Sequence, residues 1–131
     1  MVKNIFLTMT LLSLFDYTGS WSKPFLAVAD VVQIDIKRGI DIMEWDYTSV
    51  SNVVGILAAP PCTDFTRSGA QYWAEKDADG RTAQSIAIVR RTLEIVEYHS
   101  PKFWALENPA GRIERLVPEL KGKRIWYDIA Y

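Results

Sequence analysis

The sequence holds one cysteine and one histidine in 131 residues. A lone thiol excludes an internal disulfide. One thiol and one imidazole also fall short of the three or four protein ligands that zinc takes, so no metal site is expected. Charge of either sign is not in excess: 15 Lys and Arg face 16 Asp and Glu, for a net charge of -1. That excludes a globally basic nucleic-acid footprint and leaves room only for local basic patches. No apolar run is long and uniform enough to span a bilayer, so no membrane partner is expected. Repeats, low-complexity tracts and linkers are lacking as well. At this length, with 49% hydrophobic residues, residues 1–131 are expected to form a single domain around one core.

The N-terminal stretch "MVKNIFLTMTLLSLF" has the outline of a signal peptide, and "AVA" at Ala27 to Ala29 imitates a cleavage site. Asp16, Lys23 and Pro24 interrupt that outline, and the "AVA" lies about ten residues beyond the apolar run. The stretch is therefore read as leading into a buried first strand. A secreted α/β domain, the alternative, would be cleaved near Ala29. A single unpaired thiol fits a reducing compartment.

What is present is an alternation of short apolar runs with polar or helical segments. Leu11 to Phe15, Val31 to Ile36 and Val53 to Ala58 read as strands, with Ile40 to Met43 as a short additional one. Lys102 to Glu107 follows, and Arg124 to Tyr131 resembles a last strand. Val53 to Ala58 is apolar throughout, as in a parallel strand covered on both faces. Ser20 to Ala29 reads as a short helix with Pro24 in its first turn. Thr82 to His99 carries Ile86, Val89, Leu93 and Val96 at helical spacing and ends before Pro101. Ile113 to Leu116 reads as a helical turn, and residues 63–81 as a long polar loop. This rhythm predicts an α/β fold with a mostly parallel sheet. Ligands of such sheets gather outside the carboxyl ends of the strands. Phe15-Asp16, Asp35, Asp41, Pro61-Cys62 and Glu107-Asn108 all stand at such ends.

Each of these clusters has a plain reading beside a chemical one. "LFDYTGSWS" (residues 14–22) is either an ordinary turn containing Gly19 or a ligand-facing turn that opens a helix near Ser20. Asp35, twenty residues after Phe15, is either a solvated strand end or the acid that holds ribose hydroxyls in nucleotide-type cofactors. Asp41 carries the same two readings. Cys62 is either an inert buried thiol or a nucleophile activated by a helix N-terminus or by Arg67. Glu107 is either salt-bridged to Arg112 or Lys102, or a carboxyl put to chemical use at the end of an apolar strand.

Taken together, "LFDYTGSWSKPF", "APPCTDFTRSG" and "LENPAGRIERL" resemble the cofactor turn, nucleophile loop and Glu-Asn motif of DNA cytosine-5 methyltransferases, most of all the small phage and metagenomic forms. The resemblance runs from about residue 11 to the C-terminus. It implies a Rossmann-like fold dependent on S-adenosylmethionine, with helices on both faces of the sheet, acting on DNA in the cytoplasm of a bacterial or phage-infected host cell. It implies cofactor contacts from Phe15, Thr18, Gly19, Ser20, Asp35, Ile36, Asp41 and Pro61. Cys62, Glu107 and Asn108 would be catalytic, and Thr63, Phe65 and Arg67 would meet the substrate. In that chemistry a thiolate adds to carbon 6 of cytosine, which makes carbon 5 nucleophilic toward a methyl sulfonium. A protonated carboxyl at nitrogen 3 stabilises the ring as charge builds, and the base must first leave its stack. The flanks of "APPC" fit poorly the alternative of amino methylation, which asks for a polar residue before the prolines and an aromatic after them.

The chain departs from the family pattern at Tyr17, where a glycine is usual, at Asp16, where a small residue is usual, and at Ser13, where an acid is usual. Asp16 is the candidate electrostatic replacement for the missing acid. Twenty-four residues follow Glu107, and they do not reproduce the family's arginine-bearing strand or target-recognition region. The expectation is a truncated catalytic domain, with self-association through an exposed sheet edge. The second hypothesis is a non-catalytic methyltransferase-like domain that binds cofactor or a macromolecular partner.

Overall fold

The computed structural model describes residues 9–109 and 111–122 and the backbone of residues 125–126. Five strands form one sheet: β1 (Thr10–Leu14), β2 (Asp30–Ile34), β3 (Val53–Ala58), β4 (Phe103–Glu107) and the two-residue β5 (Ile125–Trp126). Their order is β2-β1-β3-β4-β5, and every pairing is parallel. Chain order therefore reverses between β1 and β3. That is the topological switch point, where strand ends diverge and leave a crevice.

The long helical pattern forms α2 (Arg81–His99). Its Val89 and Ile95 are fully buried, and Ile88, Leu93 and Val96 pack beside them against Leu12, Leu14, Ile56, Ala58 and Leu106. These strand residues share one face because the register pairs Leu12 with Ile56, Leu14 with Ala58 and Ala58 with Leu106. Each such valine, leucine or isoleucine, removed from water, contributes about 2 kcal/mol. The helix α3 (Ile113–Leu116) lies under the same core through Ile113.

Helices were expected on both faces, and among the described residues that is not what is found. The opposite face is covered by a 3-10 turn, Lys23–Ala27, whose Phe25 ring stacks on Phe103 at 6.0 Å. The expected Ser20–Ala29 helix is shortened to this turn, with Pro24 at its start. Leu26, Val28 and Phe103 remain exposed there.

Two further expectations change. Ile40 to Met43 is not a strand. The Asp41 carboxylate accepts the Met43 amide at 2.9 Å, and the Asp41 carbonyl accepts Glu44 and Trp45 amides at 3.0 and 2.9 Å. The local Asx turn wins over extension. Residues 63–81 are not a bare loop either. They form a 3-10 segment, Arg67–Tyr72, then α1 (Trp73–Asp79), and turn into α2 at Gly80, whose φ of 90° suits glycine. Of the predicted last strand, residues 125–126 are seen as β5, and the remainder lies outside the described residues. No helix among the described residues is long and apolar enough to cross a membrane. No group of three metal-ligating side chains occurs among them.

Candidate functional site

A cavity of about 440 Å³ opens at the switch point, within the size range of small-molecule sites. Phe15, Asp35, Ile36, Asp41 and Pro61, five of the residues singled out for a cofactor, line it. Phe15 sits at the end of β1 with a φ of 63°, and its amide donates to the Ile34 carbonyl at 2.6 Å. A bulky residue in the left-handed region is an outlier held in place by its surroundings, and such strain concentrates at functional positions. The Asp35 carboxylate accepts the Lys37 amide at 2.8 Å, as the Asp41 carboxylate accepts that of Met43. Both acids are thereby oriented at the cavity wall.

Thr18, Gly19 and Ser20 do not line this cavity; they form the turn behind it. The Gly19 amide donates to Asp16 Oδ1 at 2.7 Å and the Ser20 amide to Thr18 Oγ1 at 3.3 Å. The Thr18 and Ser20 hydroxyls lie 2.9 Å apart. The Gly19 and Ser20 amides, expected to hold the methionine end of a cofactor, donate within the turn in this structure. The organiser is Asp16. Its buried carboxylate also accepts Ser13 Oγ at 2.6 Å and Ser22 Oγ at 2.8 Å. Burial works to raise this carboxyl's pKa, and the hydrogen bonds from Ser13, Ser22 and the Gly19 amide outweigh it, leaving the group below its ordinary value. Asp16 thus brings a carboxylate to Ser13. Tyr17 is exposed beside Lys37, whose ammonium lies 5.6 Å from the ring centroid, and does not line the cavity.

The Cys62 loop begins where β3 ends. Pairing of Ala58 with Leu106 sets the β3 and β4 ends side by side, and the loop that leaves β3 toward Cys62 meets the segment after β4 where Asn108 contacts Pro60. Asn108 is fully buried, and its Nδ2 donates to the Pro60 carbonyl at 3.2 Å. Glu107 Oε2 is buried as well. Cys62 is half-buried, not sealed into the core. Its carbonyl accepts the Phe65 and Thr66 amides at 2.9 and 3.1 Å, which closes a tight turn after the thiol.

Phe65 is a correction. It is fully buried among Val89, Leu106, Ile113 and Val117, so its ring anchors the loop to the core and offers no surface to a base. Thr63 and Arg67 are exposed on the same loop. The Arg112 guanidinium does not take the role of a Glu107 counter-ion: its hydrogen bonds go to the Asp64 carbonyl, Asp77 and Thr82.

Several site residues were not singled out from sequence. Gln84 and Ile88, one turn apart on α2, line the cavity with Lys37, Ile40 and Ala59. The helical period was legible and already placed positions 84 and 88 on one face. Asp64 was hidden in the supposed loop; it accepts from Ser85 Oγ and pairs with Lys76 Nζ at 3.0 Å. Burial acts to raise its pKa, but Ser85 and the Lys76 ammonium more than offset it, and the net shift is downward.

The molecule is thus an all-parallel α/β protein with a cavity at its switch point and a thiol and a carboxyl on adjoining strand ends. No family model matches the sequence, and no solved structure matches it. Among curated proteins it is similar to the "Probable DNA (cytosine-5)-methyltransferase" of Frog virus 3 (isolate Goorha), at 28% identity over 95 residues, 65% of this chain and 44% of that protein. The chain spans less than half the length of this relative.

Proposed function

We propose that the chain is a DNA cytosine-5 methyltransferase catalytic domain of Rossmann-like type, with S-adenosylmethionine in the switch-point cavity. One observation carries the reading: the Pro60-Pro61-Cys62 loop and the Glu107-Asn108 strand end are joined by the Asn108–Pro60 hydrogen bond, next to a cavity lined by Phe15, Asp35, Asp41 and Pro61. The similarity to a viral protein of that name agrees with it.

The cavity residues suit the cofactor chemically. Phe15 offers a face to a purine, Asp35 an acceptor for ribose hydroxyls and Asp41 an acceptor for an exocyclic amine. The bound cofactor would supply an electrophilic methyl group on a sulfonium. Cys62 Sγ, as thiolate, adds to carbon 6 of a cytosine taken out of its stack. Electron density moves into the ring, and Glu107, holding a proton at nitrogen 3, stabilises it. Carbon 5 is thereby made nucleophilic toward that methyl group, whose transfer would break its bond to sulfur and leave the cofactor as a neutral thioether. A water molecule acting as base would take the carbon 5 proton, and the C6–S electron pair returns to sulfur as the thiolate. Asn108 holds the two loops in register. Thr63 and Arg67 are the loop residues left to meet the nucleic acid.

Substitution Cys62→Ser is expected to abolish methyl transfer to cytosine-containing DNA while S-adenosylmethionine binding stays within about twofold, since the thiol lies beside the cavity and outside its lining. Methyl transfer by Cys62→Ser at the wild-type rate would overturn the covalent mechanism. The second reading is a domain that binds cofactor without transferring methyl. It predicts cofactor binding with no transfer by the unaltered protein.

A further inference from the structure

A buried arginine ties the nucleophile loop to the elements around it. Arg112 is only 4% exposed and stands five residues after Glu107. Its Nε donates to the Asp64 carbonyl at 3.0 Å. Its two terminal nitrogens take both Asp77 oxygens, at 3.1 and 2.9 Å, and Nη2 also reaches Thr82 Oγ1 at 3.1 Å. The guanidinium lies 4.4 Å from the centroid of the Trp73 ring. Its backbone amide donates to the Phe65 carbonyl at 2.9 Å. Gly111, immediately before it, bridges Thr66, and a Cβ there would stand 1.8 Å from the Phe65 oxygen. One residue of the β4–α3 segment therefore contacts the Cys62 loop at Asp64 and Phe65, α1 at Trp73 and Asp77, and α2 at Thr82.

We propose that Arg112 is a positioning residue: its fork fixes the Cys62 loop against the Glu107-Asn108 strand end, so that thiol and carboxyl are preset before a base arrives. The inference rests on the proposed function. Planarity is what the place requires. A guanidinium can serve the Asp64 carbonyl, both Asp77 oxygens and Thr82 in one plane while stacking on an indole, and an ammonium cannot. On the other side of the loop Lys76 Nζ reaches the Thr63 carbonyl at 3.0 Å and the Asp64 carboxylate at 3.0 Å. Residues 63–65 are thereby gripped from two elements. The segment expected to be a long polar loop is ordered by these contacts instead.

The test is Arg112→Lys in the full chain, which keeps the charge and removes the fork. Because Cys62 is the only cysteine, iodoacetamide alkylation reports on it alone. The expected result is a cooperative melt, amide exchange at Phe65 and Thr66 about tenfold faster with α2 core amides unchanged, and alkylation about fivefold faster. Adduct formation with 5-fluorocytosine DNA should slow by about 10- to 100-fold at unchanged cofactor Kd. A residue of merely structural importance would lower Tm and raise exchange everywhere alike. Unchanged Phe65 and Thr66 exchange and unchanged alkylation in the folded variant would overturn the proposal. Should Arg112→Lys fail to fold, Asp77→Asn, altered at the half-exposed end of the same fork, decides: about threefold local acceleration supports it, and none overturns it. Absence of an adduct with the unaltered protein would defeat the methyltransferase reading, while exchange and alkylation still decide the role of Arg112.

Discussion

The two sides of the switch point are built differently. On the β1 side, one turn organises itself: Asp16 gathers Ser13, Gly19 and Ser22, all within six residues. On the β3–β4 side the side-chain contacts that hold the loop are long-range. Asn108 reaches Pro60 and Arg112 reaches Asp64, each across 48 residues. A local turn can loosen without disturbing the rest. A long-range clamp fails together with the packing of β3, β4, α1 and α2. Substitutions on the first side are therefore expected to act locally, and those on the second to move the Cys62 loop and the β4 end together.

The comparison can be broken most forcefully at Gly111. A methyl group there meets the Phe65 backbone carbonyl at 1.8 Å, and neither side can yield, since Phe65 is sealed in the core. Gly111→Ala is expected to cost about 3 kcal/mol or more in denaturant titration, with faster exchange at Phe65 and Thr66.

Asp16→Asn should come next, at about 2 kcal/mol, because the Ser13, Ser22 and Gly19 donors lose a charged acceptor. Its signature is different: weaker cofactor binding by calorimetry, with Cys62 alkylation unchanged. It should also reduce the acid sensitivity of the fold. Asp16 and Asp64 are both held below their ordinary values in the folded state. The stability they bring is complete above the unfolded carboxyl value of about 4, and it is lost as pH falls through the lower folded values. Thermal melts between about pH 5 and pH 2 should show that loss. Asp16→Asn should remove its own share and leave that of Asp64.

The smallest effect is expected at Gln84, which lines the cavity from α2. Gln84→Ala should weaken S-adenosylmethionine binding about threefold, the worth of roughly one neutral hydrogen bond, without slowing alkylation of Cys62.

The same contrast explains how far the sequence could be read. β3 and α2 were legible because their patterns are continuous: "VVGILA" is apolar throughout, and Ile86, Val89, Leu93 and Val96 recur at helical spacing. The cavity acids stood at strand ends, where topology places ligands. Ile40 to Met43 misled because apolar residues alternate around an Asp whose carboxylate captures a nearby amide. Residues 63–81 misled because their polarity suggests solvent. In the fold, Asp64, Lys76 and Asp77 are partnered with Ser85, Thr63 and Arg112, contacts that no local pattern encodes. Phe65 was read as a substrate contact by resemblance, yet its packing against Val89 and Leu106 depends on tertiary contacts.

The most direct measurement is intact-protein and peptide mass spectrometry after incubation with S-adenosylmethionine and 5-fluorocytosine-containing DNA. The account predicts a stable covalent adduct mapped to Cys62, because fluorine cannot leave carbon 5 as a proton does. Cofactor bound at the switch point with Cys62 still alkylatable and no adduct formed would contradict it.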